Sequence, residues 1–281
     1  MMKLSDEYLA LTAKLAHDVK TASYAQLRMR PGSRHLEIGS GNGHDTTALA
    51  AMYPQSQILG IDLNDDIVQV ANQRVTEKGV KNLTHVTGDA TVYPFISKFH
   101  SMRAERVFQH LKDNEIHALV ARMATVAEPG CVFSLVGIDW ETLTCTIPAQ
   151  HRELFRTIKQ FLIDVSNINF VHTAIAAFEA NGFATGDIAI NTFTTTNFNV
   201  AIMVLNLENI ASQLAIETKH FQALRDDFLD GKHYFSFSGC TAPFIYQGKY
   251  ELALGRYEPG RNYQIFSSFR PQLRGSPGMS M

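Results

Sequence analysis

The chain has 281 residues and a net charge of −2, with 45% hydrophobic and 19% charged residues. This apolar fraction supports a large buried core and excludes a mainly disordered chain. Nucleic-acid binders usually carry clustered positive charge, so we expect no nucleic-acid partner and no binding to anionic membranes by charge alone. No apolar run approaches the roughly 20 residues that span a bilayer, and the N-terminus lacks the apolar stretch of a signal peptide. We therefore expect a soluble, cytoplasmic protein.

Cysteine usage argues against structural cross-links. Cys131, Cys145 and Cys240 are odd in number and widely spaced, and no CxxC pair occurs. The pattern favours neither a disulfide framework nor a zinc site, and no metal is expected.

The first half of the chain alternates between strands and helices. Residues 5–29 are predicted to be helical, ending at Pro31-Gly32. The predicted strands that follow are 34–38, 57–62, 83–87, 99–104 and 131–138, and the predicted helices are 44–52, 65–78 and one beginning at Asp113. This alternation predicts parallel β-α-β units with helices on both faces of the sheet.

The regular alternation of predicted strands and helices ends after Trp140. Helices are predicted at 150–163 and 169–180, strands at 183–190 and 234–246, and helices within 198–230. The apolar residues expected to face inward in that last segment are Ile210, Leu214, Phe221, Leu224 and Phe228. Residues 270–281 are rich in Ser, Pro and Gly and are predicted to form a loose tail.

The sharpest motif is the run Leu36-Glu37-Ile38-Gly39-Ser40-Gly41-Asn42-Gly43, between a predicted strand and a predicted helix. Glycines let the backbone approach a ligand, and the amides at the helix start favour a negative group. A dinucleotide-binding loop has a third glycine where this chain has His44, and Glu37 would repel the phosphates, which disfavours a nicotinamide dehydrogenase. Glu37 suits instead a ligand with an ammonium group, contacted directly or through water.

Two further carboxylates follow the second and third predicted strands. Asp62 is placed to accept hydrogen bonds from both hydroxyls of a ribose, and Leu63 to pack on a flat base. Asp89 would accept from an exocyclic amine while the Ala90 amide donates to a ring nitrogen. With the glycine loop, these positions fit an amino acid, a ribose and an adenine in a row, which is S-adenosylmethionine.

Residues 30–140 resemble the class I S-adenosylmethionine-dependent methyltransferases, in the branch that includes quinone-biosynthesis and natural-product enzymes. The stretch FHSMRAERVFQHL, residues 99–111, is similar to that branch's fourth-strand motif, although His100 replaces its usual, commonly structural Asp. Residues 137–140 and 235–248 also resemble the family. The resemblance implies a doubly wound α/β fold with a mostly parallel, seven-stranded sheet, an N-terminal helix and helical lid insertions.

The motifs and the resemblance together give a set of candidate site residues. The predicted cofactor contacts are Glu37, Gly39, Ser40, Gly41, Gly43, Asp62, Leu63, Asp89, Ala90 and Arg103. His110 is the candidate general base, and a packed structural histidine is its alternative. The candidates for the acceptor pocket are Tyr24, Arg106, Asp139 and Trp140, of which Arg106 also suits the surface and Trp140 the core.

The expected organisation is a helical cap (1–30), a cofactor-binding core (31–140), helical lid segments with the final strands (141–250) and a C-terminal extension (251–281). Near-neutral charge and the aromatic helices after Trp140 favour methylation of a small, partly apolar acceptor, with S-adenosylhomocysteine as the product. The alternatives are a methyltransferase for protein or peptide, one for RNA, and a non-catalytic cofactor-binding regulator. Residues 198–230 would form either a lid or a homodimer surface.

Overall fold

The computed structural model describes residues 17–195, 207–228 and 233–248. In these ranges the helices are α1 (His17–Gln26), α2 (His44–Met52), α3 (Asp65–Lys78), α4 (Asp113–Thr125), α5 (Arg152–Asp164), α6 (Phe170–Ala180), α7 (Leu207–Gln213) and α8 (Thr218–Phe228). The strands are β1 (Arg34–Ile38), β2 (Gln57–Asp62), β3 (Leu83–Thr87), β4 (Phe99–Glu105), β5 (Ala127–Cys145), β6 (Phe183–Thr185), β7 (Ala189–Thr195) and β8 (Phe235–Tyr246). Short 3-10 turns lie at Phe108–His110 and Ala149–His151.

A single sheet has the strand order β3-β2-β1-β4-β5-β8-β6, with β7 also paired to β8. The pairs from β3 to β5 are parallel, whereas β8 runs antiparallel to β5, β6 and β7. The predicted α/β fold with a mostly parallel sheet is confirmed. The order reverses between β1 and β4, and open α/β sheets bind ligands at the carboxyl ends of strands beside such a reversal.

Eight strands are described where the sequence predicted seven. The predicted strand 183–190 is two short strands, because β6 pairs with Phe244–Tyr246 and β7 with the earlier part of β8. Strand β5 is also longer than predicted, since it pairs with β4 on one edge and follows β8 as far as Cys145 on the other.

Local signals set the ends of the helices around the glycine loop. Helix α2 begins after Gly43, whose φ of 78° is left-handed. Helix α3 begins where the Asn64 side chain accepts a hydrogen bond from the Ile67 amide at 3.3 Å, and it ends at the left-handed Gly79. These are the helix bounds that the sequence predicts, because capping residues are local signals.

In the described residues, apolar burial divides into three clusters: a main one on the sheet, a second one beyond it, and a third where α1 and α2 pack on β2 and β3. In the main cluster, the Phe178 ring on α6 stacks on Phe244 with centroids 4.0 Å apart and also contacts Phe133 at 4.7 Å. A Cβ on Gly137 would lie 2.2 Å from the Phe170 ring, so this glycine lets α6 approach β5. The second cluster joins α5, α7 and α8 to the outer parts of β5 and β8 through Trp140, Leu143, Ile158, Leu162, Ile210, Leu224, Phe235 and Phe237.

Several predictions fall partly outside the described residues. The N-terminal helix is described only as α1, and residues 1–16 and 249–281, including the predicted tail, lie outside. Ile210 and Leu224 are buried and Leu214 packs against the second cluster, as predicted, whereas the side chains of Phe221 and Phe228 are not described. The four-segment division and the lid and homodimer alternatives for 198–230 stay predictions.

Within the described ranges, no helix is long and apolar enough to cross a membrane. In the same ranges, no group of three His, Cys, Asp or Glu side chains is arranged to hold a metal ion. Cys131, Cys145 and Cys240 are free thiols.

Replacing Phe178 with Ala should lower the free energy of unfolding by about 3–5 kcal/mol, because the ring is fully buried and its loss leaves a cavity. The control is Ile96→Ala, whose side chain is fully exposed and should change stability by less than about 0.5 kcal/mol. Urea unfolding measures both variants. Equal effects would contradict the placement of α6 on the sheet.

Candidate functional site

The loop between β1 and α2 is shaped by three glycines. Gly39, Gly41 and Gly43 have φ values of 66°, 54° and 78°, in the left-handed region that favours glycine. A Cβ on Gly39 would lie 2.4 Å from the Val107 side chain, whereas a Cβ on Gly41 would meet nothing within 4 Å. The loop therefore packs against the chain after β4 at its start and leaves open space at Gly41.

Asp62, at the carboxyl end of β2, ties the loop to the neighbouring strand. Its carboxylate accepts hydrogen bonds from the amides of Gly41 at 2.9 Å and Asn64 at 3.0 Å. The next residue, Leu63, is 66% exposed. A half-buried carboxylate beside an exposed apolar side chain fits the ribose and the base that the sequence predicts here.

Asp89 and Ala90 follow β3, which is the next strand in the sheet. The Asp89 carboxylate is exposed and accepts hydrogen bonds from the Thr91 amide at 2.8 Å and the Thr91 hydroxyl at 2.7 Å. Ala90 is buried. Because β1, β2 and β3 are adjacent and parallel, the three motifs meet at one edge of the sheet, as a cofactor with three parts requires.

Ser40 faces inward rather than toward the open side of the loop. Its hydroxyl is buried without a hydrogen-bond partner among the described residues. A Cβ on Gly60 would lie 2.8 Å from this hydroxyl, so the glycine of β2 makes room for it. The Ser40 amide donates to the Ile61 carbonyl at 3.0 Å, and the cofactor contact of Ser40 stays a prediction.

The Glu37 carboxylate lies under the loop and is 2% exposed. One oxygen accepts a hydrogen bond from Arg103 Nη1 at 2.6 Å, and the other lies 3.2 Å from His35 Nε2. Both carboxylate oxygens therefore have partners within the protein, and the expected contact with a ligand ammonium group stays a prediction. Arg103, also predicted to touch the cofactor, has no solvent exposure.

Arg103 is the centre of a buried cluster of charges. Besides Glu37, its guanidinium contacts Asp45 Oδ2 at 3.2 Å and the Glu105 carboxylate. The same two carboxylates hold the Lys20 ammonium, at 2.6 Å from Asp45 and 2.9 Å from Glu105. Three carboxylates from β1, α2 and β4 thus surround two cations, one from β4 and one from α1.

Helix α1 covers this cluster. Arg103 Nε donates to the Ser23 hydroxyl at 3.0 Å, and the guanidinium lies 5.1 Å from the centre of the Tyr24 ring. Tyr24, predicted to line the acceptor pocket, is buried against Arg103. Sequence reasoning missed Lys20, Asp45 and Glu105; the signal was the charged pair Arg103 and Glu105 at alternate positions of a buried strand.

The charges set the ionisation of the carboxyls. Burial raises the pKa of the Glu37 carboxyl, but Arg103 and His35 lower it by more, and the net pKa lies below its usual value. Burial likewise opposes ionisation of Asp45, and Lys20 and Arg103 again lower its pKa well below the usual range. Both side chains are therefore carboxylates at neutral pH.

The remaining candidates lie just after β4 and where β5 continues beyond its last pair with β4. Arg106 has a left-handed φ of 57°, and its Nε lies 3.7 Å from a Glu105 oxygen. His110 lies at the end of a 3-10 turn. Partial burial of its imidazole and, to a lesser extent, the charge of Arg106 lower its pKa. The turn is held beside β5, because Gln109 Oε1 accepts a hydrogen bond from the Ile138 amide at 3.1 Å.

The side chains of Asp139 and Trp140 have different surroundings in the structure. The Asp139 carboxylate accepts a hydrogen bond from the Glu141 amide at 2.9 Å and is partly exposed. Trp140 is 6% exposed and packs on Phe237, with centroids 5.7 Å apart, so it belongs to the second apolar cluster. Trp140 therefore fits the core alternative.

His100, the departure from the resembled motif, has a structural contact. Its Nδ1 accepts a hydrogen bond from the Arg34 amide at 3.0 Å, joining the amino ends of β4 and β1. It lies at the opposite edge of the sheet from the glycine loop, so the replacement does not touch the site.

Comparison with known proteins agrees with this geometry. Residues 36–130 match the family described as "Methyltransferase domain". The chain is 30% identical over 121 residues to a ubiquinone/menaquinone biosynthesis C-methyltransferase, UbiE, of Burkholderia mallei, covering 43% of this chain and 49% of that protein. It is 29% identical over 84 residues to a tRNA (guanine-N(7)-)-methyltransferase of Thermosynechococcus vestitus, covering 30% and 39%. The chain thus spans less than half the length of these curated relatives.

A solved structure extends the likeness in fold. The crystal structure of the YcgJ protein from Bacillus subtilis aligns with 82% of this chain and 99% of its own, with a TM-score of 0.58 and 21% identity. At this identity the match concerns the fold alone.

Replacing Arg103 with Met should lower the free energy of unfolding by about 3–5 kcal/mol, because Glu37, Asp45 and Glu105 would lose the buried cation that they share. The control is Arg34→Met, since Arg34 pairs with Glu128 while both side chains are about one-third exposed. That change should cost less than about 1 kcal/mol. Denaturant unfolding at pH 7 compares them, and similar losses would refute the buried cluster.

Glu37→Gln should make the free energy of unfolding depend less steeply on pH in the acid range. A carboxyl whose folded pKa is lowered stabilises the fold above its unfolded pKa of about 4, and loses this effect as pH falls through the folded pKa. Between about pH 5 and 3 the unfolding free energy of the wild type should therefore fall more steeply than that of the variant. Glu77→Gln, on the exposed side of α3, should behave as wild type. Parallel curves for Glu37→Gln and wild type would contradict the ion pair.

Proposed function

We propose that this chain is a class I S-adenosylmethionine-dependent methyltransferase that methylates a small, partly apolar acceptor. Its residues 36–130 match the family described as "Methyltransferase domain". The observation that carries the proposal is the edge of the sheet at β1 to β3. There a loop of three left-handed glycines is tied to Asp62 and leaves open space at Gly41.

In the proposed complex, each residue at this edge of the sheet binds a different part of the cofactor. Asp62 would accept hydrogen bonds from the ribose hydroxyls, and Leu63 would cover one face of the adenine. Asp89 and the Ala90 amide would bind the edge of the base. The glycine loop would lie along the amino-acid end of the cofactor. Glu37 and Arg103 would support the loop from its buried side.

S-adenosylmethionine supplies an activated methyl group that is transferred by in-line displacement. The protein therefore contributes mainly proximity and alignment. His110 is the proposed general base: its lowered pKa leaves the imidazole neutral at pH 7, the form that accepts a proton from a hydroxyl or an acidic carbon. Arg106, just after β4, and Asp139, where β5 continues beyond its last pair with β4, are the proposed polar contacts of the acceptor.

The apolar second cluster supports a small acceptor. It extends from Ile138, at the carboxyl end of the sheet, to α5, α7 and α8. The half-buried apolar residues packed against it, such as Ile138 and Phe155, would give the acceptor apolar walls of the kind that small-molecule sites share. The net charge of −2 favours such an acceptor over the tRNA substrate of one relative, because RNA binding relies on clustered positive charge.

Isothermal titration calorimetry with S-adenosylmethionine and S-adenosylhomocysteine tests the cofactor. Asp62→Ala should weaken binding at least about tenfold, since it removes the proposed ribose acceptor and frees the Gly41 amide. Asp66→Ala, an exposed position four residues along, is the control for charge and should bind as wild type.

Two outcomes would overturn parts of the proposal. Folded wild type that binds neither compound at millimolar concentration would refute the cofactor. Tight binding without methyl transfer to any hydroxylated, amine or quinone-like compound would favour the non-catalytic regulator.

A further inference from the structure

One nitrogen atom of Arg103 contacts side chains on both sides of the glycine loop. Nη1 lies 2.6 Å from Glu37 Oε1, two residues before Gly39, and 3.2 Å from Asp45 Oδ2, two residues after Gly43. The loop is therefore closed at its base by a single buried cation. Its ends are held by an ion-pair bridge in addition to the strand and helix that they join.

We propose that Arg103 is a positioning residue that sets the shape of the glycine loop for the cofactor without touching the cofactor itself. This inference rests on the proposed function for its ligand, and on the loop's own contacts for its geometry.

The loop needs such a restraint. Three of its five residues are glycines, the residue type with the greatest backbone freedom, and ordering them costs conformational entropy. Within the loop, the Gly41 amide donates to Asp62, the Gly39 and Ser40 amides donate to the Ile61 carbonyl, and the Gly43 amide donates to the Ser40 carbonyl. A bridge across the base limits the remaining freedom where the loop meets β1 and α2.

Arginine is specifically suited to this position. The guanidinium has three nitrogens in one plane, and here Nη1 serves Glu37 and Asp45, Nη2 serves Glu105, and Nε donates to Ser23. A lysine ammonium is a single point charge and cannot reach four separated partners. The arrangement predicts that Arg103→Lys keeps the charge and loses the positioning.

A neutral triple variant separates positioning from stability. Arg103→Met alone leaves buried carboxylates without a counter-charge. A loss of stability and a loss of order in the glycine loop would then occur together and could not be told apart. Combining Arg103→Met with Glu37→Gln and Asp45→Asn removes the cation together with two of its carboxylate partners and leaves Lys20 paired with Glu105, so no buried charge is left without a counter-charge. The triple variant should therefore be more stable than Arg103→Met while lacking the bridge.

The matched control is Arg34→Met with Glu128→Gln. It removes an ion pair of the same chemistry, with a 3.0 Å contact, at the other edge of the sheet. Two measurements apply to every variant: amide hydrogen exchange over residues 39–43 in the free protein, and the dissociation constant for S-adenosylmethionine.

The triple variant should exchange its loop amides faster than wild type and bind S-adenosylmethionine at least about tenfold more weakly, with Arg103→Lys similarly impaired. The control should match wild type in both readouts. Loop exchange and affinity equal to wild type in the triple variant would overturn the proposal.

The two proposals fail separately. If wild type does not bind S-adenosylmethionine, the proposed function fails, and faster loop exchange in the triple variant still supports the bridge. If wild type binds and the triple variant binds equally tightly, the bridge fails and the proposed function stands.

Discussion

A guanidinium with no exposure to water must find its counter-charges inside the protein, and this constraint organises the cofactor end of the molecule. Arg103 obtains them from three elements: Glu37 on β1, Asp45 on α2 and Glu105 on its own strand. Those elements are consequently held together at the place where the sheet order reverses. Lys20 adds α1 to the same group of charges.

The parallel strands supply the second condition for a site. Adjacent parallel strands end at one edge, so residues far apart in sequence meet there. The loop after β1, Asp62 after β2 and Asp89 after β3 follow one another across the sheet, in the order in which an extended nucleoside with an amino-acid end would cross them. The opposite edge carries structural contacts such as that of His100 with the Arg34 amide.

The outer part of the molecule follows a different principle. Strand β5 continues beyond the last residue that pairs with β4, and its extension with β8 forms the apolar support on which α5, α7 and α8 pack. Trp140 stands at the start of this extension. This apolar layer is built from elements other than those that carry the charges under the glycine loop, apart from the shared sheet.

The sequence by itself determined the features that depend on local chemistry. Helix α3 begins and ends where Asn64 and Gly79 predict, and the glycine loop, Asp62 and Asp89 lie at strand ends as the motifs require. Caps, turns and periodicity act over a few residues, so a single sequence contains them. The split of the predicted strand 183–190 was decided by pairing with β8, which is distant in sequence.

Only the tertiary structure decided what the charged residues do. The sequence predicts that Glu37 faces a ligand ammonium group, and the fold also gives its carboxylate a protein partner, Arg103, which lies 66 residues later in the chain. The sequence predicts that Tyr24 and Arg103 both contact a ligand, and the fold buries their side chains against each other. The physical reason is that a carboxylate takes whichever cation the fold brings within hydrogen-bond distance, and sequence spacing does not encode that distance.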